Sequence, residues 1–143
     1  MRAKCDYALH GKMAVTVRDT ATIVDEPTER GGTNLGPSPT ETLLASLIAC
    51  TCRIASKCCK AHDVDLKHIN VDCIAKMDRR GVEMKEEIDV PFPEILLKIN
   101  VTADTDDAAL EPVKRDLSRF CPVSKVIRQS GTDITEEWTI TKP

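Results

Sequence analysis

Gly36-Pro37-Ser38-Pro39-Thr40-Glu41-Thr42-Leu43-Leu44-Ala45-Ser46-Leu47-Ile48-Ala49-Cys50-Thr51 is the stretch that decides the fold. Ser38 is a capping type, Pro39 suits the first helical position, and Glu41 sits at the third. The pattern predicts a helix running to about His62. From Leu43 to Ile54 it is apolar nearly all round, broken by Ser46, Thr51 and Arg53. A helix without a wide polar face belongs inside something. It is read as a central core helix.

Upstream, Met13-Ala14-Val15-Thr16-Val17 and Ala21-Thr22-Ile23-Val24 are β-branched and alternate weakly, so the first 25 residues are read as two or three short antiparallel strands. Asp25 to Pro37 holds three glycines and two prolines in thirteen residues and is a loop. Downstream, His68–Met77 and Ile95–Val101 read as strands, with a loop or strand edge from Glu83 to Pro93. A second helix has Thr105 or Asp106 as its cap and Ala109, Leu110, Val113 and Leu117 on one face. Phe120-Cys121-Pro122-Val123-Ser124 interrupts it and starts a short third helix, which Gly131 ends. Ile134–Ile140 closes the chain as a strand. The order ββ(β)–α–β–β–αα–β is that of an α+β protein, taken as one domain over residues 1–143.

Composition removes several function classes. Aromatics are 3% of 143 residues, too few for a base-stacking platform, and a mixed net charge of −3 does not make a phosphate-tracking surface. Nucleic acid is therefore not expected as a partner. No apolar run reaches membrane-span length, and Met1-Arg2-Ala3-Lys4-Cys5-Asp6 leads into no apolar signal-peptide core, so the expected location is the cytoplasm, with no membrane association. The core must be aliphatic, from 11 Ile, 11 Val and 10 Leu. Seven cysteines, an odd number with no Cys-x-x-Cys, argue against a fully paired disulfide framework and against a zinc ribbon. Buried inert thiol, reactive thiol or a loose soft-metal site remain.

The stretch Gly36–Thr51 resembles the central helix of the OsmC/Ohr family, the osmotically inducible protein C and organic hydroperoxide resistance proteins. Phe120-Cys121-Pro122-Val123-Ser124 resembles that family's second cysteine motif, and the element order agrees along nearly the whole chain. The resemblance implies strongly twisted antiparallel sheets wrapped around central helices in an intertwined homodimer. It also implies a thiol-dependent peroxidase. Cys50 would attack an organic hydroperoxide, Cys121 would resolve the product as a disulfide, and an external thiol or dithiol would reduce it, with no cofactor. Arg30 stands nine residues before Pro39, the spacing of the OsmC-type activating arginine. Two positions depart from the pattern: Thr40 replaces the glutamate that usually follows the proline, and Lys125 stands where asparagine is common. Glu41 is next along, about 100° further round the helix.

Peroxide reduction needs a thiolate, and a free cysteine with a pKa of about 8.5 is only a few per cent ionised at neutral pH. Lowering that by two units takes ~2.7 kcal/mol of preference for the anion. A cysteine in mid-helix gains little from the macrodipole, so a cation is required. Arg30 is the basic residue of the loop before the helix, with Glu41, or else Thr40, to orient it; Arg53 is the substitute within the helix. Cys121 falls at a helix N-cap, where the dipole favours a thiolate by only about 0.3–1 kcal/mol.

Taken alone, a thiol in an apolar helix is usually an inert core group. Cys52 and Cys58 are read as packing thiols, Cys59 as packing or part-exposed, Cys73 as core and Cys5 as adventitiously reactive. Sulfurs spread along one helix diverge, so no metal site is expected. His62 and His68 are read as solvated, and Ser124 as a cap or backbone partner. An aliphatic pocket favours an alkyl tail by about 0.8 kcal/mol per buried methylene, hence organic hydroperoxides. The alternatives are a non-catalytic small-molecule-binding module, or a redox sensor signalling through a Cys50–Cys121 disulfide.

Overall fold

The computed structural model describes residues 1–7 and 11–143; residues 8–10, inside the stretch read as short strands, lie outside the described residues. The chain divides into two compact units, Met1–Ala45 and Ser46–Pro143. In the first, β1 (Ala3–Tyr7), β2 (Met13–Val17) and β3 (Thr20–Val24) form an antiparallel meander in the order β1-β2-β3. The β2–β3 turn is two residues long, with Arg18 in the left-handed region at φ 58° and the Thr20 hydroxyl donating to the Val17 carbonyl at 2.7 Å. β1 is exposed over its whole length. The loop 25–37 follows, with a single 3-10 turn over Thr28–Arg30, and leads into helix α1 (Pro39–Ala61).

The second unit holds the rest of α1, then β4 (Leu66–Lys76), β5 (Glu94–Ala103), α2 (Asp107–Phe120), α3 (Pro122–Gln129) and β6 (Asp133–Thr141). β4 and β5 pair antiparallel, with Cys73 opposite Leu97. β5 and β6 run parallel, with Ile95 opposite Ile134, which departs from the expected antiparallel pairing. The cause is the connection: α2 and α3 form a crossover that returns the chain in the same direction. β5 is the central strand, and its Ile95, Leu97, Ile99, Val101 and Ala103 are buried in alternation. Leu110, Val113 and Leu117, spaced three and four apart on α2, join Ile127 and Ile134 in the core. Asp106 caps α2 by accepting from the Ala109 N–H at 2.9 Å, and Gly131, at φ 97°, follows the end of α3.

α1 only partly meets the expectation of a core helix. Its buried positions, Leu47, Thr51, Ala55, Cys58 and Cys59, make one stripe, while Leu43, Ala45 and Ala49 are exposed. Length and a mean hydropathy of 1.4 over 18 residues would let α1 cross a bilayer. Arg53 near its middle would cost about 2.5–3.5 kcal/mol there, and the buried stripe gives α1 a protein-facing side instead.

Candidate active site

Cys50 and Cys121 are 71 residues apart in sequence, and the fold brings them close enough that Cys50 acts on the Cys121 thiol. Both are free; Cys50 is half-buried on α1 and Cys121 is wholly buried. Cys121 ends α2 and caps α3 at once: its N–H donates to the Leu117 carbonyl and its carbonyl accepts from the Lys125 N–H, each at 3.0 Å. Pro122 cannot continue α2 but fits the first position of α3, so the local sequence dictates this corner. Burial pushes the Cys121 thiol up to about 11, and the neighbouring Cys50 adds to the rise. The Val123 and Ser124 amides pull the other way without completing a capping hydrogen bond. Desolvation therefore overrides the thiolate preference expected at a helix start. Cys121 is thus held as a neutral thiol beside Cys50.

The sequence-predicted Arg30 and Glu41 lie in the first unit. Arg30 Nε donates to Glu26 Oε2 at 2.6 Å. Glu41 closes a capping box: its Oε2 accepts from the Ser38 N–H at 2.7 Å, and its N–H reaches Ser38 Oγ at 3.4 Å. These Ser38 contacts, with a smaller contribution from the Arg30 charge, hold the Glu41 carboxyl below the usual range. Thr40 Oγ1 lies 3.2 Å from Ser38 Oγ.

The loop carrying Arg30 is built around Asp25. This fully buried carboxylate accepts from Thr33 Oγ1 at 2.5 Å, the Thr33 N–H at 3.2 Å, the Leu35 N–H at 3.0 Å and the Glu26 N–H at 2.8 Å. Those donors, the Thr33 hydroxyl first, hold its pKa down to about 2. Sequence reasoning missed Asp25. The available signal was an aspartate leading a glycine-rich stretch with threonine and asparagine, a composition suited to backbone donors converging on one carboxylate.

Four further cysteines, Cys52, Cys58, Cys59 and Cys73, are poor nucleophiles. Burial raises the Cys52, Cys58, Cys59 and Cys73 thiols, and the Asp116 charge adds to the rise at Cys58. Cys59 is fully packed, Cys73 is half-buried and Cys5 is exposed. His62, read as solvated, instead pairs through Nε2 with Asp116 Oδ2 at 2.8 Å, linking the turn after α1 to α2. The partners are 54 residues apart, so only tertiary structure reveals the pair. Beside it, Ile54, Lys57, Cys58, Ala61, Asp116 and Phe120 line a groove of about 340 Å³. The buried Ser124 Oγ has no hydrogen-bond partner among the described residues. Among the described residues no group of three or more His, Cys, Asp or Glu could hold a metal ion.

A family model described as OsmC-like protein matches residues 32–137. No curated protein matches the sequence. Among solved structures, an OsmC-like protein from Mycoplasma pneumoniae is 16% identical, with a TM-score of 0.83 over 98% of this chain and 96% of that one. The organic hydroperoxide resistance protein OhrB of Bacillus subtilis is 18% identical, with a TM-score of 0.63 over 96% of each chain. A Legionella pneumophila organic hydroperoxide resistance protein, OsmC, is 14% identical, with a TM-score of 0.65 over 98% of this chain and 95% of that one.

Proposed function

The chain belongs to the OsmC-like family, and from that premise we propose that it is a thiol-dependent peroxidase reducing organic hydroperoxides. The observation that carries the reading is the meeting of Cys50 and Cys121 across 71 residues. Organic hydroperoxide resistance proteins among the structural relatives support the same redox role. The Cys50 thiolate attacks the terminal oxygen of R–O–O–H; the S–O bond forms, the O–O bond breaks, and the alkoxide leaves and takes a proton as the alcohol. The Cys121 sulfur then attacks the Cys50 sulfur of the sulfenic acid. The S–S bond forms, the S–O bond breaks, and the oxygen departs as water with the Cys121 proton. An external dithiol reduces the disulfide by exchange and is itself oxidised.

The high pKa of Cys121 suits the second thiol. With a value of about 11, roughly one Cys121 in ten thousand is ionised at pH 7, which shields it from direct oxidation. Its attack relies on proximity, since a well-oriented neighbour reaches effective molarities of about 10⁵ M or more. Arg30 takes the role of the activating cation by its spacing from Pro39. Glu41 fixes the start of α1 and feels the Arg30 charge. The proposal includes a cytoplasmic, intertwined homodimer in which residues 1–143 act as one domain. Relatives covering both units support the single domain, and the exposure of β1, Leu43 and Phe120 supports the dimer.

The test is turnover with a dithiol reductant and either cumene hydroperoxide or hydrogen peroxide. The reading predicts faster consumption of the organic substrate, and abolition by Cys50→Ser. Equal turnover of the two peroxides contradicts the substrate preference, and unaltered turnover by Cys50→Ser contradicts the mechanism. One observation favours a second reading, a non-catalytic module binding an apolar small molecule: Thr40 stands where the family's peroxidases usually carry glutamate. That module would leave Cys50 unreactive toward both peroxides.

A further inference from the structure

We infer that Asp25 is a positioning residue that acts through Arg30, locking both ends of the loop that presents the guanidinium. The inference rests on the peroxidase reading for its kinetic consequence, while the lock itself is independent of that reading. Asp25 sits just after β3, with no solvent exposure, and the amides and hydroxyl that donate to its carboxylate are uncharged. One of these, the Glu26 N–H, lies at the start of the loop; Thr33 and Leu35 lie at its far end. The Asp25 N–H donates to the Pro37 carbonyl at 3.0 Å. A single buried carboxylate thus draws both limbs together, with Arg30 between them.

The interior of the loop transmits that constraint. The Arg30 and Gly32 N–H groups donate to the Pro27 carbonyl at 2.9 and 3.1 Å, and the Asn34 N–H donates to the Glu26 carbonyl at 3.1 Å. The returning chain passes directly over Glu26: a Cβ on Gly32 would lie 1.9 Å from the Glu26 carbonyl oxygen. Glu26, fixed by its own N–H and carbonyl, then holds Arg30 Nε at 2.6 Å. An exposed ion pair by itself fixes a side chain weakly. Here its carboxylate stands on backbone bound to a buried anchor. Loss of that anchor frees thirteen residues, and a misplacement of about 1 Å can cost about a hundredfold in rate.

The experiment uses the full reduced chain, with cumene hydroperoxide as oxidant and quenched mass spectrometry of Cys50. Asp25→Asn places an NH₂ against the Thr33 and Leu35 N–H donors. It is expected to slow Cys50 oxidation by about 10- to 100-fold. In the Arg30→Ala background, Asp25→Asn should add nothing, because the two changes disable one device. Wild-type rates in Asp25→Asn, or a double variant slowed by the full product of the single effects, would overturn the inference. Thr33→Val, which removes only the hydroxyl bond, should slow oxidation several-fold and serves if Asp25→Asn does not fold. Should wild-type Cys50 resist oxidation, the peroxidase reading fails and limited trypsin cleavage after Arg30 decides separately. Cleavage at least tenfold faster in the variants supports the lock; equal cleavage overturns it.

Discussion

Replacing Cys121 with serine should change how stability depends on pH in the alkaline range. In the folded protein Cys121 keeps its proton to about 11, against an ordinary value of 9.0. Its pKa is raised, so its contribution is fully present below the unfolded value and lost as pH rises through the folded one. Between those two values the unfolded chain has released a proton that the folded chain retains. The slope from this one thiol is then about −1.4 kcal/mol per pH unit. Over the two units it amounts to ~3 kcal/mol, an order-of-magnitude figure. Urea unfolding of the reduced protein from pH 8 to pH 11, for wild type and Cys121→Ser, measures it. Serine does not ionise in this range, so any constant cost of burying its hydroxyl cancels from the slope, as do contributions from titrating groups that do not interact with Cys121. The predicted result is convergence of the two stability curves between pH 9 and pH 11. Parallel curves would refute the claim that burial governs Cys121.

Other consequences follow from the first unit. Gly32→Ala forces a Cβ against the Glu26 carbonyl and should destabilise the loop by roughly 1–3 kcal/mol, read from faster amide exchange at Asn34; unchanged exchange contradicts the close approach. Ser38→Ala removes the capping side chain of α1 and should cost about 0.5–2 kcal/mol in urea unfolding, with no change counting against the capping box. Because the Asp25 pKa is depressed, its stabilisation is present above about pH 4 and is lost as pH falls through about 2. NMR titration of its carboxyl carbon should show no transition near 4, and a transition there would contradict the four-donor arrangement.

Local chemistry carried most of the fold into the sequence. Ser38-Pro39 with Glu41 marks the start of α1, and Pro122 after Cys121 marks the α2–α3 corner, because both signals act within one turn of helix. The parallel pairing of β6 with β5 was not legible, since partner choice depends on a crossover rather than on either strand's pattern. Nor was the incomplete cover of α1: an apolar run states that surface wants burial, not what supplies it. The site divides the same way. The Cys50–Cys121 pairing is an expectation from the family pattern rather than from spacing. The His62–Asp116 pair and the Asp25 anchor join residues whose meeting only the folded chain specifies. Even the Cys121 expectation needed the fold, because a capping position argues for a thiolate and only burial shows that the neutral thiol prevails.

The proximity of Cys50 and Cys121 is tested most directly by intact mass spectrometry and disulfide mapping of the reduced chain after one equivalent of cumene hydroperoxide. The account predicts rapid loss of two hydrogens, mapped to a Cys50–Cys121 bond. An unchanged mass, or oxygen scattered over the other cysteines, would contradict it.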